Sequence, residues 1–160
     1  MIAFSVPGDA VPKMRARVVF SRGGVRAYTP RKTAEWEARI ASAAASVMRE
    51  GGMSRIDGPL AVSIVVDVMP PRSWPTWKRE AAIGGAISPT TRPDLDNIGK
   101  AILDAINGVA YGDDAQIVDI RMRSRYALQS SVAVEISALL SASAQAVRRR
   151  SDLEGVSDGG

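Results

Sequence analysis

The sequence predicts a single α+β domain: a mixed β-sheet with helices packed mainly on one face. Three observations point there. Runs of alternating apolar and polar residues at 2–6, 60–69, 118–126 and 132–136 read as strands. Two longer segments, after Pro30 and after Pro93, place apolar residues at helical spacing. The 160 residues suffice for one core, and no internal repeat divides them.

Taken in order, Ile2, Phe4 and Val6 alternate with Ala3 and Ser5, a short strand with one buried face that Pro7-Gly8-Asp9 breaks. Two β-prone runs, Arg15 to Phe20 and Val25 to Tyr28, flank Ser21-Arg22-Gly23-Gly24 and predict a hairpin. Thr29-Pro30 is a helix start with Thr as cap, and Trp36, Ile40, Ala43, Ala44 and Val47 continue at helical spacing until Gly51-Gly52. From Leu60 to Met69 the chain is apolar on much of both faces, hence a central strand. Asp67 near its end can face a site or be a strand-end polar residue. Pro70 to Thr91 is irregular, with Ser73 as a possible cap for a short helix bearing Trp74, Trp77, Lys78 and Arg79. These two Trp can stack on bases or anchor the loop to the body.

Arg92-Pro93 forces an extended entry and Asp94 occupies a capping position. Leu95, Ile98, Ile102, Ala105 and Ile106 form an apolar stripe that Asn107-Gly108 ends. Val109 to Gly112 is a connector. Val118, Ile120, Met122 and Tyr126 then alternate with Asp119, Arg121, Arg123 and Arg125, predicting a buried face opposite an Arg stripe. Val132, Val134 and Ile136 make a last half-buried strand. The domain is expected over 1–140, with 141–160 a polar, frayed tail.

Composition removes whole classes of chemistry. There is no Cys, so no disulfide framework, thiolate nucleophile or Cys-ligated zinc. There is no His, which removes imidazole acid–base relays and His-held metals. No apolar run is long enough to span a bilayer, and the N-terminus lacks the order of a secretory signal, so a cytoplasmic protein is expected. Net charge is +4, which permits a polyanionic partner. Lys13, Arg15, Arg17, Arg22, Arg26, Arg31 and Lys32 cluster with no acid among them. They can line phosphates or simply keep a hairpin soluble.

Arg92 to Ile120 concentrates the acids that remain. Asp94 and Asp96 stand at a loop-to-helix junction, and Asp113-Asp114 follow that helix. Carboxylates with open coordination positions hold hard cations such as Mg²⁺, which assist phosphodiester hydrolysis. Lys100 can offer a fixed positive charge to a phosphate. Each residue also has a plainer account: Asp94 as cap, Asp96–Lys100–Asp104 as surface pairs worth about 0.2–0.5 kcal/mol each, Asp113-Asp114 as a turn.

The order Pro93-Asp94-Leu95-Asp96-Asn97-Ile98-Gly99-Lys100, then Leu103-Asp104, then Asp113-Asp114-Ala115-Gln116 resembles the RusA-type Holliday junction resolvase family. The close match covers about thirty residues, and the flanking order of elements agrees. The resemblance implies a homodimeric endonuclease, dependent on Mg²⁺ (Mn²⁺ possible), that nicks opposing strands of four-way DNA junctions. It implies Asp94, Asp96 and Asp114 as metal carboxylates and Lys100 as the essential lysine. Asp113 is a less certain neighbour; Asn97, Asp104, Gln116 and Asp119 have support roles. Candidate phosphate contacts are Lys13, Arg15, Arg17, Arg121, Arg123 and Arg125. Flaps or other branched nucleic acids, or junction binding without cleavage, are the alternatives. The Trp-bearing stretch, the tail and Gly99 inside the helix are departures from a minimal member.

Overall fold

Strict alternation of buried and exposed residues marks β1 (Ile2–Pro7) as the first strand of a sheet with one covered face. The computed structural model describes residues 1–15, 17–21, 24–90 and 93–139. The hairpin's Arg22-Gly23 and the expected tail at 141–160 lie outside them.

β2 (Arg17–Ser21) and β3 (Gly24–Tyr28) pair antiparallel as the expected hairpin, separate from the main sheet. The main sheet combines β1, β4 (Leu60–Val68), β5 (Ile117–Tyr126) and β6 (Ser131–Ala138) in the order β1-β6-β4-β5. β6 runs antiparallel to β1 and β4, whereas β5 is parallel to β4. The sheet is therefore mixed and β4 is interior as expected, although it buries only its alternate residues and not both faces.

A parallel pair needs a long crossover. Here that crossover carries α2 (Thr76–Ile83) and α3 (Leu95–Ile106). α1 (Arg31–Glu50) packs on β1 and α3. Trp36, Ile40 and Ala44 from α1 join Ile98 and Ile102 from α3 and the apolar faces of β1, β4 and β6 in one core. The other sheet face stays small and polar, with Ala3, Ser5, Ser63 and Glu135. Among the described residues no helix is long and apolar enough to cross a membrane.

Details differ from expectation in three places. Pro30, not Thr29, stands at the cap of α1, without a side-chain cap bond. α2 starts at Thr76 after Pro75, so neither Ser73 nor Trp74 belongs to it. The expected buried face of β5 fails at its start: Val118 is 63% exposed and Ile120 42%. Leu60 pairs with Ile117 and Ala61 with Asp119, so Val118 is an extra residue, a β-bulge that breaks the alternation. Among the described strands, β5 has a neighbour on one side only, so Ile120 lies on an edge. Beyond the bulge Met122 and Tyr126 turn inward as expected.

Candidate active site

The rotation of α3 is fixed by its apolar stripe. Ile98, Ile102 and Ile106 are buried, each worth about 1.5–3 kcal/mol against exposure. The side of the helix opposite this stripe must then face outward, and Asp96, Lys100 and Asp104 are exposed along it at i,i+4 spacing. Rotating the helix to pair these charges elsewhere would uncover three isoleucines.

Asp94 holds the cap position of α3, but its carboxylate makes no cap hydrogen bond; its carbonyl accepts from Ile98 N–H at 3.2 Å. Asp94 lines a cavity of about 490 Å³ at the C-terminal ends of β4 and β5, with Asp9, Asp67, Val68, Ile98 and Ser124. Among the described residues Asp94, Asp96 and Lys100 have no ion pair or side-chain hydrogen bond. The plain account of Asp96–Lys100–Asp104 as surface pairs is not what forms. Asp104 instead meets Lys13, whose ammonium lies 2.8 Å from Asp104 Oδ2 and 2.7 Å from Glu37 Oε1. Partial burial would lower the Lys13 pKa, but the hydrogen bonds it donates to Asp104 and Glu37, with their negative charge, outweigh it and the net shift is upward. Lys13 also donates its backbone N–H to Asn97 O at 2.9 Å. It ties α1, α3 and the segment before the hairpin together.

The two neighbouring acids after α3 have different environments. Asp113 caps the short 3-10 helix Asp114–Gln116: its Oδ1 accepts from Ala115 N–H at 2.8 Å. Gln116 completes the box, accepting from Gly112 N–H and Asp113 N–H and donating to Ile56 O and Gly58 O. Asp114 makes no such bond. Its Oδ1 lies 3.1 Å from the hydroxyl of buried Tyr111, which is also 3.2 Å from Leu103 O. The phenol has a single proton, and of its two acceptors the charged Asp114 carboxylate is the stronger. Burial first, then the Asp114 carboxylate, raises the Tyr111 pKa far above its usual value and keeps it a neutral donor. Tyr111 escaped the sequence analysis because a lone Tyr in a connector resembles any core aromatic.

Asp67 is paired with Arg125 (Nε to Oδ1 2.6 Å) and accepts from Ser131 Oγ at 3.2 Å. Arg125 is thus occupied, Arg121 approaches Asp119 at 3.7 Å, and Arg123 and Arg15 have no acidic partner among the described residues. The side chain of Arg17 lies outside the described residues; its backbone pairs with Tyr28.

As donors, Asp94, Asp96 and Asp114 suit a hard divalent cation: they are oxygen ligands with unused lone pairs. Their positions are less converged. Asp114 sits by Leu103, about 10 Å along the α3 axis from Asp96 at the rise of a regular helix. No cluster of three potential metal ligands exists among the described residues. Lys100 lies between the two acidic ends.

A helix carrying unspent acids and a lysine, beside an Arg-bearing edge strand, defines a protein suited to phosphate chemistry on a polyanion. The family model for "Endodeoxyribonuclease RusA" matches residues 7–137, and the chain belongs to that family of RusA-type Holliday junction resolvases. It is a nuclease of the hydrolase class. It is also similar to "Uncharacterized protein YqaN" of Bacillus subtilis (strain 168), at 33% identity over 137 residues, covering 84% of this chain and 94% of that protein.

Proposed function

We propose that the protein resolves four-way DNA junctions by paired phosphodiester hydrolysis, acting as a homodimer with Mg²⁺ or Mn²⁺. The observation that carries it is the polar side of α3. Among the described residues the side chains of Asp94, Asp96 and Lys100 make no hydrogen bond or ion pair, while Asp104 and Asp67 are engaged in ion pairs and Asp113 in a cap. In this proposal Asp94, Asp96 and Asp114 supply the carboxylates for divalent-cation binding, and Lys100 meets the scissile phosphate. When bound, a divalent cation lowers the pKa of water and neutralises charge on the phosphate. Tyr111 orients Asp114. Arg15 and Arg123, uncommitted in the fold, contact flanking phosphates, with Arg17 and Arg121 beside them. Lys13 and Arg125 act from their ion pairs, fixing the elements that carry these contacts.

A two-fold dimer places two such sites on opposing strands of a symmetric junction. The free outer edge of β5, with Val118 and Ile120 exposed, is one apolar surface available for association. The test is a panel of labelled four-way junction, flap, linear duplex and RNA, each with and without Mg²⁺, for wild type and Asp96→Asn. Symmetric nicks in the junction, dependent on the cation and lost in the variant, are expected. A junction left intact by the wild type, or cut undiminished by Asp96→Asn, refutes the proposal.

A further inference from the structure

Trp77 is 69% exposed, a rare setting for so large an apolar side chain. The other two Trp residues are used by the fold. Trp36 is buried in the core. Trp74 meets Tyr126 edge-on with ring centroids 5.5 Å apart, and Lys78 Nζ sits 4.1 Å from the centre of the Trp74 ring. Lys78 is on the first turn of α2, so this stack fastens the start of α2 to the end of β5. Buried Ala82 anchors its last turn, and Pro71 and Pro75 stiffen the approach. Trp77 is left on the outer side of a fixed helix.

That helix stands at the end of the sheet where the Asp94 cavity opens. Tyr126, under Trp74, pairs with Val68, and Val68 lines the cavity together with Asp94. Arg72 and Arg79 flank Trp77 in sequence; both are exposed and have no ion pair among the described residues. A rigid exposed aromatic face in a segment that also carries the uncommitted Arg72 and Arg79 suits an unstacked base next to backbone phosphates. A continuous duplex keeps both faces of each base covered, and a branch point does not.

We infer that Trp77 stacks on a nucleobase exposed at a DNA branch and sets the preference for branched over linear DNA. This rests on the branched-DNA proposal above. The test uses the full chain as wild type, Trp77→Ala and Trp77→Phe. Binding to a four-way junction and to a linear duplex is measured by anisotropy without divalent cation. A second junction carries 2-aminopurine at the branch, and cleavage is followed with Mg²⁺. Replacing Trp77 by Ala is expected to weaken junction binding by about 5- to 100-fold, the usual range for losing one stacked base, with duplex binding unchanged. Trp77→Phe keeps a stacking face and should retain most of the affinity. The 2-aminopurine signal should change on binding wild type and not Trp77→Ala.

If wild type binds and cuts junctions but Trp77→Ala matches it in affinity and 2-aminopurine response, the inference fails alone, and the exposed face is left to a protein partner. Equal losses on junction and duplex also overturn it, making Trp77 a general contact. If wild type neither binds nor cuts junctions, the broader proposal has failed and takes the inference with it.

Discussion

Gly99 lies buried in the middle of α3, where Ala would ordinarily favour the helix by about 1 kcal/mol. Here a Cβ would collide with Met122 Sδ and lie 3.1 Å from Met122 Cε. Gly99 is therefore a point of close approach between α3 and β5. Forcing an extra carbon into a packed contact costs about 1–3 kcal/mol, and the flexible thioether keeps this from the upper limit. Set against the helix gain, Gly99→Ala is expected to destabilise the protein by about 1 kcal/mol. The same substitution in a Met122→Ala background loses the clash and keeps the gain, so there it stabilises by up to about 1 kcal/mol. The coupling between the two sites is then about 2 kcal/mol, within the range for residues in contact. Urea unfolding of all four chains, read by circular dichroism, measures it. Stabilisation by Gly99→Ala with Met122 in place, or an equal effect in both backgrounds, would refute the close-approach account.

Tyr111→Phe keeps the buried ring but removes the bond to Asp114. It should cost about 1 kcal/mol of stability and lower cation affinity or kcat by about 10–100-fold, measured by Mn²⁺ titration beside junction cleavage. Asp113→Ala should lose about 1 kcal/mol of cap stability in urea unfolding while cleavage persists, and Asp114→Asn should show the opposite pattern. Lys13→Met leaves Glu37 and Asp104 facing each other and should cost about 1–2 kcal/mol, between exposed and buried pairs. The folded Lys13 pKa is raised above its unfolded value near 10.5. Its contribution is therefore full below that value and lost as pH rises through the higher folded one. The stability gap between wild type and Lys13→Met should shrink in strongly alkaline urea titrations; a gap that widens there contradicts the pairing.

Periodicity made most of the fold legible. β1, β4 and β6 each bury alternate residues, and the apolar stripe of α3 fixes which side of that helix is wet. What periodicity carries is the burial of one face, and it misleads where the register slips. Val118 and Ile120 fit the apolar phase of β5 as well as Met122 does, but the bulge puts Val118 out of the ladder. A bulge is set by how β5 lies on β4, and no property of Val118 announces it. The start of α2 shows the same limit: Ser73 is the better cap by propensity, yet Trp74 is needed against Tyr126 and the helix waits for Thr76.

The acids divide along similar lines. Residue type and spacing singled out Asp94, Asp96 and Lys100, and among the described residues no ion pair or hydrogen bond engages their side chains. Asp113 and Asp114, adjacent and chemically alike, are separated only by what surrounds each. One caps a turn; the other faces a phenol that lies three residues upstream and is wholly buried. Asp104 likewise lay at ideal spacing for Lys100, but α1 supplies Glu37 and the N-terminal segment supplies Lys13. A half-buried lysine between two carboxylates outcompetes a solvent-exposed i,i+4 pair worth a few tenths of a kcal/mol. That choice removes Asp104 as a helix-surface partner of Lys100, which has no ion pair among the described residues.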